Sequence, residues 1–188
     1  MKKFLFLLSC FACLSILFVN CKDPGDDSGT GTDKSWYGVK KGSVEYVYEE
    51  GGSQTVTHQL YFDDYGKKER FDYEGYSHIV LLDKSIDLYH SEKKYNVYPS
   101  TKVNATYLVP NYDNYSNYAG YSKTTQTIAG KKVTIWTWTH YGVTYRWGAW
   151  ERIPFLWDIL EVKLIAKTFK TDIPSGYFDI PSDYTPLY

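Results

Sequence analysis

The chain has 188 residues, of which 43% are hydrophobic and 19% are aromatic, including 20 Tyr and six Trp. This is enough chain for one domain with a substantial core, which excludes disorder throughout. With 21 basic and 22 acidic residues, the formal charge is -1. The charge balance excludes the strongly basic class of nucleic-acid binders, and we expect no nucleic-acid partner.

The amino terminus has the pattern of a lipoprotein signal peptide. Two lysines precede an apolar run from Phe4 to Val19, about 15 residues, which is short for a membrane-spanning helix. The run ends at Asn20 and Cys21 and resembles a lipobox, whose cysteine is diacylated and becomes the first mature residue. Val and Asn before the cysteine depart from the commoner Ala/Gly pattern, and an ordinary secretory signal cleaved elsewhere is the alternative.

Lipid attachment at Cys21 would change what the three cysteines can do. Cys10 and Cys13 leave with residues 1–20, so the mature chain has no thiol for a disulfide, a nucleophile or a metal site. We predict a lipid-anchored protein of the outer membrane, facing either the periplasm or the cell surface.

Residues 21–41 form the predicted tether. They are rich in Gly, Ser, Thr and Asp, which bury too little apolar surface to offset the conformational entropy lost on ordering, so we expect a flexible segment. An acidic stretch after an acylated cysteine resembles the surface-export signal of Bacteroidetes lipoproteins, and a plain periplasmic spacer is the alternative. The folded domain is predicted over residues 42–188.

Alternation of apolar and polar residues, with turn signals about every eight to twelve residues, predicts strands through this domain. The links have hairpin length and no βαβ spacing, so we predict a mainly β fold. This fold is a single curved antiparallel sheet, an open half-barrel, with one or two short helices on the concave side. The predicted strands cover residues 44–49, 55–62, 68–73, 79–82, 86–90, 95–98, 127–129, 131–139, 143–150, 155–159 and 161–169, with one short helical turn near 154–160.

Tyrosine recurs at every third position at Tyr112, Tyr115 and Tyr118. A short helix or 3₁₀ turn would place the three rings on one side, packed against the sheet. A mobile aromatic lid over a pocket and a plain disordered loop are the alternatives.

The most aromatic hairpin has two candidate registers. If residues 141–142 alone form its loop, Trp138 faces Tyr145 and Trp136 faces Trp147. This register puts the aromatic side chains on one face and the Thr and Arg side chains on the other. We favour it because it separates polar from apolar side chains, and its aromatic face would then belong to the core.

In the other register, residues 140–142 all lie in the loop and Trp136 lies across from Arg146. The tryptophans then form a half-polar platform suited to a sugar ring or a cation–π contact. Trp147 and Trp150 are three residues apart and lie on opposite faces unless a bulge intervenes, which the glycine between them would allow.

Catalytic patterns are weak. Asp63 and Asp64 are adjacent in a predicted turn, so their side chains diverge. No nucleophile elbow, P-loop or dinucleotide fingerprint is present, although a carbohydrate hydrolase needs no local motif. We therefore expect no enzymatic activity, no cofactor and no metal site. The four histidines occur singly, without zinc-ligand spacing: His58, His78, His90 and His140.

The order of elements resembles the uncharacterised Bacteroidetes lipoproteins of the LolA/LolB-like superfamily, over about residues 40–183. The resemblance implies an incomplete antiparallel barrel over helices, with an apolar cavity. LolB-like carriers are less aromatic than this chain, and LolA-like carriers are soluble. The resemblance therefore does not imply the acyl-chain transfer of the carriers for any residue here. The resemblance rests on the lipobox and on residues 61–68, 87–98, 128–132, 173–174 and 178–181.

These observations predict a non-catalytic envelope lipoprotein that binds an apolar or amphipathic, lipid-like ligand in the concavity of an open barrel. A surface glycan-binding lipoprotein and a structural or assembly subunit of an outer-membrane complex are the alternatives, and any protein partner is unknown. The candidate ligand-binding residues are Trp136, Trp138, Tyr145, Arg146, Trp147, Trp150, Tyr112, Tyr115 and Tyr118.

Overall fold

The computed structural model describes residues 36–100, 105, 106, 109 and 111–188. The predicted signal peptide, Cys21 and most of the predicted tether lie outside these residues. Residues 35–188 form a compact unit of their own. Its strands are β1 (Gly42–Glu50), β2 (Ser53–Asp63), β3 (Lys68–Tyr73), β4 (Tyr76–Val80), β5 (Lys84–Tyr89), β6 (Lys94–Pro99), β7 (Ala119–Ile128), β8 (Lys131–His140), β9 (Val143–Trp150), β10 (Ile153–Ile159), β11 (Val162–Lys170) and β12 (Thr185–Pro186).

All twelve strands belong to one sheet, in the order β12-β6-β5-β4-β3-β2-β1-β11-β10-β9-β8-β7. Neighbours are antiparallel except for β12, which pairs with β6 in parallel. The sheet is open and curved and does not close into a barrel, which confirms the predicted fold class. No helix in the described part of the chain is long and apolar enough to cross a membrane.

Helix is nearly absent from the described residues. The 3₁₀ turn Tyr112–Tyr115 stands where a short helix or 3₁₀ turn was one of the predicted alternatives, and the 3₁₀ turn Asp64–Gly66 stands where a turn between strands was predicted. The helical turn predicted near residues 154–160 is wrong, because this segment is strand β10. β10 is bounded on both sides by β9 and β11, so its backbone groups bond to neighbours rather than within a helix.

The largest error in strand prediction concerns β7, which is much longer than the predicted 127–129. Most of its side chains are exposed and polar, so it lacks the alternation that marks a half-buried strand. It forms because β8 offers a full antiparallel partner, from Ala119 opposite Thr139 to Ile128 opposite Lys131. Strand pairing here overrides the local sequence signal.

Cross-strand register divides the side chains between two faces. Tyr46, Leu60 and Phe71 share the face that the chain between β6 and β7 crosses, which we call the crossover face. Ile79, Ile86 and Leu88 point to the other side, where Phe178, Ile180 and Tyr184 pack on them. We call this second side the C-terminal face. Chain outside the sheet therefore covers part of each face.

The core of the crossover face is closed by two segments outside the sheet. Trp36 and Tyr37 are 7% and 1% exposed, although both fall in the range assigned to the tether from sequence. Glu69 is fully buried beneath them. Its Oε1 accepts from the Tyr37 hydroxyl at 2.5 Å and its Oε2 from the Thr106 amide at 2.7 Å. One carboxylate thus ties the entering chain and the crossover to β3.

The C-terminal face is held by polar contacts around Arg70. Arg70 Nη1 donates to the Tyr177 carbonyl at 2.9 Å, and its guanidinium lies 4.2 Å from the centre of the Tyr177 ring. The Tyr177 hydroxyl donates to Asp72 Oδ2 at 3.0 Å. The pKa of this phenol is raised, mainly by burial. The last residues therefore add a layer to the sheet.

A Ser–His pair lies on the same face. Ser77 Oγ and His90 Nε2 are 2.7 Å apart, and His90 Nδ1 is 2.6 Å from the Tyr184 hydroxyl. Arg70 Nη2 also donates to Ser77 Oγ at 3.0 Å, so the serine joins the arginine to the imidazole. Ser77 is completely buried. The pair thus fastens the C-terminal segment to the sheet.

This contact makes the C-terminal face sensitive to acid. Burial, and then Arg70, lower the pKa of His90, with Asp72 opposing. The unfolded chain takes up this proton near pH 6.5, whereas the folded protein does so only at lower pH. The stabilisation by neutral His90 is thus complete above about pH 6.5 and is lost as the pH falls through the folded pKa.

We therefore expect the stability advantage of the wild type over His90→Gln to shrink between pH 7.5 and pH 5. Urea unfolding of both proteins across this range measures it. Parallel stability curves would show that protonation of His90 is not linked to folding.

Candidate functional site

The aromatic hairpin β8–β9 adopts the two-residue register. Trp138 pairs with Tyr145 and Trp136 pairs with Trp147, which confirms the favoured prediction. The loop residues, Tyr141 and Gly142, have φ of 50° and 76°. Two positive φ angles in succession suit the right-handed twist of the strands. The three-residue alternative, with Trp136 opposite Arg146, is therefore wrong.

The tyrosines before β7 form a 3₁₀ turn that packs on this hairpin, as one of the three alternatives predicted. The ring centres of Tyr112 and Tyr115 lie 4.9 and 4.8 Å from that of Trp138. The ring centre of Tyr118 lies 4.9 Å from that of His140. Asn111 caps the turn by accepting from the Asp113 amide at 3.1 Å. The turn is thus a packed element rather than a lid.

Packing leaves the tryptophans little contact with solvent. Trp136, Trp138, Trp147 and Tyr112 are 8%, 5%, 6% and 6% exposed. Tyr145 is half-buried and stacks on Trp138 at 5.4 Å and 9°. An aromatic face covered in this way cannot present a flat platform to a sugar ring.

Two of the nine candidate residues lie apart from this cluster. Arg146 points to the opposite face of β9 and pairs with Asp158, Nη1 to Oδ2 at 2.6 Å. The ring centres of Trp150 and Phe169 are 5.0 Å apart, and Lys131 Nζ lies 4.4 Å from the centre of the Trp150 ring. The pairing of β9 with β8 is continuous, so no bulge brings Trp147 and Trp150 together.

Asp113 fixes the 3₁₀ turn to the sheet. Its carboxylate accepts from Lys123 Nζ at 2.7 Å, from Trp136 Nε1 at 3.0 Å and from the Tyr121 hydroxyl at 3.0 Å. These hydrogen bonds, with Lys123 and Trp136 the largest causes, hold the pKa of Asp113 well below its usual range. The cluster around Trp138 is therefore a structural core with its own polar anchor.

A second aromatic group lies on the crossover face at the other end of the sheet. Its members come from β3, β4, β5 and β6 and are all at least partly exposed. Cross-strand pairing brings them together. Tyr76 pairs with Tyr73 on one side and with Tyr89 on the other. In the same way, Asp87 pairs with His78 and with Asn96. We call this group the tyrosine array: Tyr73, Tyr76, His78, Asp87, Tyr89, Asn96 and Tyr98.

Asp87 is the acceptor at the centre of the array. Its Oδ1 accepts from the Tyr76 hydroxyl and is 2.7 Å from His78 Nδ1. Burial raises the pKa of Tyr73 to about 12, and burial with the Asp87 hydrogen bond raises that of Tyr76. Burial also raises the pKa of Tyr89, with Asp87 the next cause. These phenols stay protonated at neutral pH and can donate hydrogen bonds.

The rings of the array form a continuous surface. Tyr73 and Tyr76 have ring centres 4.8 Å apart, and Tyr76 and Tyr89 meet edge to face at 5.5 Å. Asn96 Nδ2 donates to the Tyr98 hydroxyl at 3.0 Å. Tyr98 is 43% exposed. Apolar ring faces and polar groups thus alternate on a partly open surface.

A groove of about 430 Å³ adjoins the array at the β6–β12 edge. It shares Asn96 and Tyr98 with the array, and Val97 in its wall is 46% exposed. Exposed apolar side chains in one groove suit an apolar group better than water. The lining residues are Tyr95, Asn96, Val97, Tyr98, Pro186 and Tyr188.

Sequence reasoning missed the array. Its members are spread over residues 73–98 and meet only when β3 to β6 are in register. The available signal was the alternate spacing of Tyr76 and His78, of Asp87 and Tyr89, and of Asn96 and Tyr98. Each pair of positions shares one face of its strand. Among the residues that the structure describes, no group of three or more His, Cys, Asp or Glu is placed to hold a metal ion.

No protein-family model and no curated protein matches the chain. Solved structures do match in fold. An uncharacterized conserved protein from Thermus thermophilus aligns with TM-score 0.51 and 8% identity, covering 79% of this chain and 90% of that one. MucB, solved in complex with MucA(peri), aligns with TM-score 0.52 and 10% identity, covering 76% of this chain and 55% of that one.

PNGF-II aligns with TM-score 0.51 and 7% identity, covering 79% of this chain and 31% of that one. The chain thus spans about half of the MucB chain and a third of the PNGF-II chain. Identities this low show the fold alone. The likeness to MucB supports a LolA/LolB-like fold, and no sequence match confirms membership of that superfamily.

Proposed function

We propose that this protein is a lipid-anchored envelope lipoprotein that binds an amphipathic ligand, without catalysis, on the tyrosine array. The observation that carries the proposal is the combination of partly open tyrosine rings with the Asp87 carboxylate, next to the groove of about 430 Å³. Binding sites for amphiphiles combine an apolar surface with a few placed polar groups. The likeness in fold to MucB is compatible with a binding role.

This location differs from the one expected from sequence. Trp136, Trp138 and Trp147 lie in the core, whereas Tyr98 and Val97 are open to solvent. A ligand gains binding energy only from surface that it newly covers. The array and the groove offer such a surface, and the tryptophan cluster offers little.

Binding is tested with the chain from residue 21 onward, carrying Cys21→Ser so that it is not acylated. This chain retains the compact unit of residues 35–188. We expect an eight-carbon glycoside below its micelle concentration to bind in calorimetry, and Tyr98→Ala to weaken binding at least tenfold, because truncation removes an exposed ring shared by array and groove.

The matched control is Tyr141→Ala, which removes a ring that is 92% exposed on the β8–β9 loop. This variant should bind as the wild type does. Absence of binding to the wild-type chain, or an equal loss in both variants, would argue against a site on the array.

The anchor is tested separately with the full chain in a bacterial host. We expect labelled palmitate to be incorporated and the protein to sediment with membranes, because two acyl chains hold a protein firmly on a bilayer. Cys21→Ala should abolish the label and release the protein. Absence of label from the wild-type chain, with the protein released from membranes, would favour an ordinary secretory signal instead. Unchanged labelling of the Cys21→Ala variant would contradict acylation at Cys21.

A further inference from the structure

We propose that the tyrosine array selects amphiphiles with a neutral, polyhydroxylated head group, as in a sugar, with Asp87 as the acceptor for a ligand hydroxyl. This inference rests on the proposed function and names the ligand class for the same site. It is carried by the hydrogen-bond pattern and by the charges on the crossover face around Asp87.

The Asp87 carboxylate can accept further hydrogen bonds. Its Oδ1 accepts from the Tyr76 hydroxyl and contacts His78, whereas no described residue donates to its Oδ2. An ionised carboxylate has about four lone-pair sites and only accepts hydrogen bonds. The side chain is 15% exposed, so a ligand can reach it. A group that satisfies Oδ2 must therefore donate, as hydroxyl and ammonium groups do and carboxylate and phosphate groups do not.

Charge and hydrogen bonding together distinguish between head groups. An anionic head group would be repelled by Asp87. An ammonium would be attracted by Asp87, although Lys94 lies opposite Tyr89 on the same face. An ammonium can only donate, whereas a hydroxyl can donate to Asp87 and also accept from the Tyr98 hydroxyl, which itself accepts from Asn96. The charge of Asp87 and the need for a ligand acceptor thus favour a polyol.

The neighbours of Asp87 also suit a sugar ring. Asn96 and Tyr98 each carry a donor and an acceptor at the surface, which matches the mixed hydrogen bonding of vicinal hydroxyls. The rings of Tyr73, Tyr76 and Tyr89 present apolar area for the carbon face of the sugar. An apolar chain attached to the sugar would then run into the adjoining groove beyond Tyr98.

The test uses three probes with the same eight-carbon tail: octyl glucoside, octylammonium and octanoate, each below its micelle concentration. Calorimetric titration of the Cys21→Ser chain from residue 21 should give the tightest binding for octyl glucoside, at least tenfold tighter than for either charged probe. Asp87→Asn should weaken the glucoside at least fivefold, because an amide is a weaker acceptor than a carboxylate.

Asp83→Asn, at an exposed carboxylate in the β4–β5 turn, is the control and should bind as the wild type does. Circular dichroism checks that Asp87→Asn is folded. Asn96→Ala, at a second residue of the array, should also weaken the binding of octyl glucoside. Equal affinity for all three probes, or a preference for a charged one, would overturn the head-group inference and leave the proposed function standing. If no probe binds, the proposed function falls as well.

Discussion

Replacing Glu69 with alanine is expected to lower the free energy of unfolding by about 3 kcal/mol. The buried carboxylate accepts from the Tyr37 hydroxyl and the Thr106 amide, and both donors lose this acceptor in the variant. The Tyr37 hydroxyl is the buried one of the two donors. A buried donor left without an acceptor costs about 1–3 kcal/mol, and the lost side-chain volume adds to this cost. Urea unfolding followed by tryptophan fluorescence measures the change.

Two further substitutions define what Glu69 does. Glu69→Gln keeps the shape and one strong acceptor, so it should lose less stability than the alanine variant. Glu74→Ala removes an exposed carboxylate at the β3–β4 turn and should stay within about 0.5 kcal/mol of the wild type. If Glu69→Ala unfolded at the wild-type urea concentration, the carboxylate would not be what fastens Tyr37 and the crossover to β3.

Replacing Trp138 with alanine should cost about 3–5 kcal/mol of stability and leave ligand binding by the folded protein unchanged. The Trp138 ring contacts Tyr112, Tyr115 and Tyr145 at ring-centre distances of 4.9, 4.8 and 5.4 Å and is 5% exposed. Its removal leaves a cavity that three surrounding rings cannot fill. Unfolding in urea and calorimetric titration of the same sample separate the two effects.

Tyr141→Ala is the natural control for this variant, because it removes an exposed aromatic ring from the same hairpin. Its stability should change by about 0.5 kcal/mol or less. Specific loss of glycoside binding in a fully stable Trp138→Ala protein would return the ligand site to the tryptophans. It would also show that the Tyr112–Tyr115 turn moves aside.

Most of the sheet could be predicted because its strands carry their own pattern. In β1 the side chains alternate between a buried and a more exposed face, and the predicted bounds of β1, β8 and β9 differ from the observed ones by at most two residues. Where the pattern is missing, the prediction fails. β7 is exposed on both sides along most of its length, and β12 has two residues and pairs only with β6.

The aromatic residues show how far composition can be interpreted. From the sequence, Trp136 and Trp138 are candidate ligand-binding residues in one hairpin register and core residues in the other. In the structure these side chains are core, and Trp36 and Tyr37 close the core from the segment assigned to the tether. A strand pattern predicts which residues share a face, but it does not show what covers that face.

The sequence by itself determined the fold class and most of the strand pattern, favoured the two-residue register of the β8–β9 hairpin, and predicts a lipoprotein signal over residues 1–21. These properties depend on residues close together in the chain, since alternation and turn chemistry act over a few positions. Only the tertiary structure decided which aromatic rings are buried and where Asp87 meets Tyr76 and Tyr89. Those outcomes depend on contacts between strands far apart in sequence and on the segments that cross each face, and no local pattern encodes them.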